Sequence, residues 1–125
     1  MARTAVAYSN LLPNANVPDA SLTAVTLNPG TSNGHRIASA EPERTLLRVA
    51  VGATGGNITI KAGTNPPAIA AAMGDLVVNV AANTIQWIGP FESGRFIQND
   101  GSMLVDVAAA VVPGTITAMR IPKAV

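Results

Sequence analysis

From Thr84 to Val107 the chain alternates short apolar runs with turn chemistry, and this rhythm restricts the fold more than any other feature of the sequence. Ile85 to Ile88, Phe96 to Ile97 and Met103 to Val107 are apolar; Gly89-Pro90, Ser93-Gly94 and Asn99-Asp100-Gly101 separate them. Runs this short, bounded by turn residues, read as successive antiparallel strands. Asp100-Gly101 is a hairpin signal, because Gly accepts the positive φ that tight turns demand. Three of the four aromatic residues, Trp87, Phe91 and Phe96, lie in this stretch. Other large side chains are few, so the reading sends all three to the core; an aromatic platform for sugars or bases is the alternative.

The remainder of the chain reads as further strands. Residues 2–8 form a first strand or an arm, with Thr4, Val6 and Tyr8 on one face if extended. Pro13 and Pro18 make a loop of residues 11–19, and Ser21 to Leu27 alternates like a strand before the turn at Asn28-Pro29-Gly30. His35 to Ala38 is a short strand. Arg44 to Val51 is a clearer one, with Leu47, Val49 and Val51 facing one way and Arg48 and Ala50 the other. Gly55-Gly56 joins it to Asn57 to Ala62, where Ile58 and Ile60 alternate with polar residues, and the two read as a hairpin. Residues 63–67 break the pattern, 68–73 are a loop with helical leaning, and Leu76 to Val80 is again a strand. Pro113-Gly114 makes a corner before a last strand, Thr115 to Ile121. The sum is an all-β fold of about eight strands over residues 21–123, with turns at the spacing of sandwiches and barrels. Residues 1–20 precede it as an arm, or as a first strand plus loop.

Composition narrows the function. At 125 residues the chain fits one domain, and its 48% hydrophobic and 12% charged residues leave little charge for a surface. Either a neighbour covers part of that surface, or Thr, Asn, Ser and Gly supply its polarity. The eight Lys and Arg residues are scattered, unlike the basic footprint of a nucleic-acid binder. There is no Cys to form a disulfide or a thiolate metal site. The amino terminus lacks the apolar core of a secretion signal, and the run Ala68 to Met73 is too short to cross a bilayer. A soluble chain made in the cytoplasm is expected.

No catalytic constellation is expected either. His35 has no Ser or carboxylate at motif spacing and reads as a hydrogen-bonded histidine. Glu41 and Glu43 flank Pro42 beside Arg44, a salt-bridged corner, and no Asp-rich loop suits calcium. Carboxylates paired only in space, as for sugar hydrolysis, stay open as an alternative. The glycines at 30–34 and 55–56 lack the context of a phosphate loop and read as turns. Neither a cofactor nor a metal is called for, and the chain is read as a non-enzyme.

Several segments resemble the capsid decoration, or cement, proteins of tailed bacteriophages, particularly those infecting actinobacteria. The likeness is carried by Glu43 to Val49, Lys61 to Ala68, Gly74-Asp75-Leu76, Trp87 to Gln98, Asp100-Gly101-Ser102 and Val105-Asp106-Val107, with the opening Met1 to Thr4. It spans residues 40–123, with the alanine runs at 70–72 and 108–110 less typical. The resemblance implies a single antiparallel β-sandwich or jelly-roll-like domain, often trimeric, on the outside of an icosahedral shell in the virion, where it staples major capsid protein subunits together. Its partners would be that protein and its own copies, not nucleic acid or membrane. Residues 2–8 are the candidate arm, so Arg3, Thr4, Val6 and Tyr8 are expected at a capsid or subunit interface. Arg36, Arg44, Arg48 and Arg95 are expected there as donors to capsid carboxylates. A tail or fibre module, or a carbohydrate-binding module using Trp87 and Phe91, is the competing reading.

Overall fold

A computed structural model describes residues 3–11, 15–16, 18, 22–30, 33–63, 74–108 and 114–121. The helical leaning of 68–73 and the Ala108 to Ala110 run beyond its first residue lie outside these. Ten strands are present among the described residues. They are β1 (Thr4–Ala5), β2 (Tyr8–Asn10), β3 (Val25–Thr26), β4 (His35–Ile37), β5 (Thr45–Val51), β6 (Gly56–Ile60), β7 (Leu76–Val80), β8 (Ile85–Ile88), β9 (Met103–Val107) and β10 (Gly114–Arg120). A short 3-10 turn, Pro42–Arg44, precedes β5, and one helical turn, Ser93–Phe96, lies between β8 and β9.

The strands form two sheets. The first has the order β1-β4-β9-β6-β7 and the second β2-β10-β5-β8, with β3 also on β10. Four hydrogen-bonded pairs are nested one inside another along the chain: β3 with β10, β4 with β9, β5 with β8, and β6 with β7. All four are antiparallel, and they fall alternately in the second and first sheets. That is the pairing of one long ribbon, doubled back on itself and rolled into two layers. The all-β sandwich read from the sequence is therefore the fold.

Period-two alternation aims each strand. Along β5, Thr45, Leu47, Val49 and Val51 are buried while the residues between them are half exposed. In β9, Met103, Val105 and Val107 point inward, and in β6 Ile58 and Ile60 do. These meet Ile116 and Ala118 of β10, with Phe91 and Phe96 in edge-to-face contact at 5.6 Å, in one core shared by both sheets. Burying an aliphatic side chain of this size contributes roughly 1.5–3 kcal/mol.

Five expectations need correction. Strands β5 and β6 do not form a hairpin; they belong to different sheets, and residues 52–55 carry the chain across. Phe96 ends a helical turn rather than opening a strand, and Asp100-Gly101 turns the chain within a loop, where Gly101 N–H donates to Gln98 O at 2.9 Å. The sheets are mixed rather than wholly antiparallel, because β1 runs parallel to β4 and β2 parallel to β10. Trp87 is outside the core, at 55% exposure.

The first residues thus border both sheets. β1 lies on the rim of the first, β2 on the rim of the second, and Val6 between them is buried. Gly34 lets the start of β4 lie close against β9 while its carbonyl meets β1. Its φ is +107°, and a Cβ there would stand 2.3 Å from Val105 O, while its carbonyl accepts Thr4 N–H at 2.9 Å. Gly34→Ala is expected to cost about 3 kcal/mol, combining backbone strain and overpacking. Denaturant titration measures it, and an unchanged midpoint would refute this account of the glycine.

Candidate functional surface

The two outer faces of the sandwich differ in chemistry. On the first sheet the outward residues include Arg36, Leu104, Asp106, Thr59 and Asn79, and ion pairs cross them. Arg3 meets Asp106 at 2.7 Å, Lys61 meets Asp75 at 3.0 Å, and Arg36 meets Asp100 at 2.9 Å. Asp100 also accepts the hydroxyl of Ser102 at 2.6 Å and its N–H at 3.1 Å. Those Ser102 bonds and the Arg36 guanidinium lower its pKa to about 2. Asp75 is held below the usual range chiefly by the N–H of Ala62, with Lys61 adding to it.

The second sheet turns a different set outward. Register places Trp87 opposite Arg48 and Ile85 opposite Ala50; on β10, Thr115 stands next to Ala50, and Thr117, which is buried, next to Arg48. Near the β2 rim this face is occupied, since Thr23 N–H donates to Ser9 Oγ at 2.8 Å and Met119 is buried. At the β8 rim it is open. Ile85 and Trp87 are 53% and 55% exposed and, with Val77 of β7 on the opposite face, are the exposed large hydrophobics among the described residues. An open depression of about 480 Å³, lined by Thr26, Ala50, Val51, Gly52, Gly114 and Thr115, adjoins Ile85 through Ala50. The result is an apolar ledge with a neighbouring hollow and one arginine beside it.

Most of the residues expected at an interface tie the chain to itself. Val6 is 3% exposed and belongs to the core. Tyr8 bonds Thr45 Oγ1 at 2.6 Å, accepts Glu41 N–H at 3.0 Å, and lies under the Arg120 guanidinium. Because Thr45 Oγ1 gives its proton to Glu41 O, the tyrosine is the donor in the first of these bonds. Arg44 and Arg120 both hold the Glu41 carboxylate. Desolvation alone would raise the pKa of Glu41, but the hydrogen bonds and charges of the two arginines outweigh it and lower it. Arg95 donates to Gly74 O and Asp75 O and covers the Phe96 ring. Thr4 is exposed but accepts the Asn28 amide. Only Arg48 stands on the open apolar face. Trp87 and Ile85, its principal features, were not among the expected interface residues, and Phe91 is buried, so no Trp87–Phe91 platform exists.

No group of three or more His, Cys, Asp or Glu among the described residues is arranged to hold a metal ion. No family model, no curated protein and no solved structure matches the chain.

His35 is fully buried beside β1, and its Nε2 accepts Asn28 N–H at 3.1 Å. A backbone N–H can only donate, so Nε2 carries a lone pair and the ring is neutral. Burial lowers its pKa, and the nearby Arg3 charge acts in the same direction. The unfolded chain therefore takes up a proton below pH 6.5 that the folded chain refuses. The contribution is complete above that pH and lost as the pH falls, with a limiting slope of about 1.4 kcal/mol per unit. His35 is the only histidine, so His35→Gln is expected to flatten the stability profile between neutrality and mild acid. Denaturation midpoints across that window check it; equal slopes in both proteins would contradict a neutral buried ring.

Proposed function

We propose that this chain is a structural virion protein, a brace that binds the outer surface of an icosahedral phage capsid and joins neighbouring major capsid subunits. The observation that carries the reading is the open apolar ledge of Ile85 and Trp87 on the less charged face of the sandwich. Apolar side chains exposed together beside a hollow fit a flat protein surface better than a small polar substrate. The resemblance of Trp87 to Gln98 to capsid decoration proteins supports the same reading, and Trp87 heads that segment. The nested strand pairs support a jelly-roll reading of the sandwich, an architecture that presents two broad faces. Repetition over a shell multiplies modest contacts, because copies that engage several subunits raise the effective concentration of each.

Trp87 also favours a second reading, since an exposed indole on a sheet face is a stacking platform for a sugar ring. One set of measurements separates the two. Mixed with expanded, undecorated shells, the protein is expected to bind saturably and raise their resistance to heat. Trp87→Ala is expected to weaken binding by roughly tenfold or more while the fold survives. Failure to bind any such shell, combined with glycan-array binding that Trp87→Ala abolishes, would replace the brace with a carbohydrate-binding module.

A further inference from the structure

The rim formed by β7 and β8 has a property beyond its exposed side chains. Val51 N–H donates to Thr84 O at 3.0 Å, and Ala50 stands opposite Ile85. In an antiparallel ladder, hydrogen-bonded positions alternate. Thr84, Gln86 and Ile88 therefore turn their N–H and C=O groups toward β5, while Ile85 and Trp87 turn theirs away from the sheet. The same rule applies to β7. Lys61 donates to Leu104 O and Ala108 to Asn57 O, so the odd-numbered residues of β6 bond β9 and the even-numbered ones bond β7. Val77 and Asn79 are left with outward backbone groups.

These are two rim strands of four and five residues without a charged side chain, proline or inward-pointing charge. Sheet rims that stay unpaired usually carry one of those devices. The opposite rim is built otherwise, from β1, β2 and β3, none longer than three residues. Residues 81–84 alone join β7 to β8, so these two rims, which no further strand pairs among the described residues, lie on one side of the sandwich.

We infer that this side pairs with a second copy of the same chain, β8 against β8 in antiparallel register about a two-fold axis at Gln86. The pattern of the strand selects a copy of itself. Its two free positions flank Gln86 symmetrically, so the axis sets Ile85 opposite Trp87 of the other copy, and each pair exchanges two backbone hydrogen bonds. Both side chains point to the same outer face, where apolar and aromatic cross-strand pairs are favourable. The strand carries no charge, so it selects no partner by sign, and like strands meet without repulsion. On β7, Val77 and Asn79 flank Val78 in the same way. The product is one continuous outer sheet bearing two Ile85–Trp87 ledges side by side. It closes with two copies, whereas the family resemblance implies three.

The single tryptophan reports directly on this contact. Sedimentation velocity of the full chain across a concentration series is expected to show a reversible monomer–dimer equilibrium. Trp87 emission should shift to shorter wavelength, and acrylamide quenching should fall, as the dimer fills. Ile85→Pro removes an N–H that β5 does not use, and Ile85→Lys leaves the backbone intact and adds a charge. Both are expected to weaken dimerisation by roughly tenfold or more. Circular dichroism of Ile85→Lys, altered only at an exposed side chain, confirms a folded comparison. A wild-type monomer at every concentration, a trimer, or a dimer indifferent to both substitutions would overturn the inference. The measurement uses no capsid, so its failure would leave the brace reading to be judged separately.

Discussion

The seven-residue ladder between β5 and β10, running from Gly114 opposite Val51 to Arg120 opposite Thr45, is the pairing on which the other elements wait. It joins segments far apart in sequence, and it lies in the middle of the second sheet. Among the described residues, β2 and β3 have only β10 to pair with, and β8 has only β5. Non-local ladders of this kind must overcome loop-closure entropy before they return any hydrogen bonds. Nesting eases that cost. Once β6 and β7 pair across a shorter loop, β5 and β8 are brought near, and each further pair closes a shorter effective loop than its sequence separation suggests.

The ladder also explains why the first residues of the chain are strands at all. Alanines at 5 and 7 give residues 4–10 little intrinsic preference for extended structure. Their partners supply it. Tyr8 to Asn10 align with Ala118 to Arg120, and the Tyr8 hydroxyl links Thr45 to the Glu41 backbone on the far side of β5. Arg120 then spans Tyr8 and the Glu41 carboxylate. A single corner thus gathers β2, β5, β10 and the 3-10 turn. Buried polar groups there are satisfied by one another, which is the condition under which burial of such groups is tolerated.

What could be read in advance follows from which forces are local. Alternation along β5, β6 and β7 is a property of neighbouring residues, and it locates these strands and their inner faces; β9 is legible only as an apolar run, without a face. The change of sheet between β5 and β6 is not local. It rests on Gly55, where a Cβ would stand 2.3 Å from Val80 O, and glycine next to glycine looks the same in a hairpin as in a crossing. Trp87 was sent to the core because aromatics are scarce, but both faces of Ile-Gln-Trp-Ile hold apolar residues. Only the pairing of Ile88 with buried Leu47 decides the phase, and that fixes Trp87 outward beside Arg48. The parallel docking of β1 and β2 left no trace in local pattern. The arginines proposed as interface donors show the same gap, since sequence gives their spacing but not the carboxylates and carbonyls that claim them.

The small charge content acquires a meaning from where the charges sit. Arg3, Asp106, Lys61 and Asp75 run as a chain of opposite signs across the first sheet, with side chains about a quarter to a third exposed, and Arg36 pairs with Asp100 near its end. Partly exposed pairs of this kind contribute little stability individually, on the order of 0–1 kcal/mol. Their larger effect is on hydration, because a surface dense in ion pairs is costly to cover. Over β5 and β8 the outward residues of the other sheet are Arg48, Ala50, Ile85 and Trp87, a mostly apolar set. A desolvation cost on one face and an apolar gain on the other make the two faces unequal: covering the second sheet over β5 and β8 costs less than covering the first. In a sandwich of two layers, this difference in the cost of drying is what distinguishes one outer face from the other.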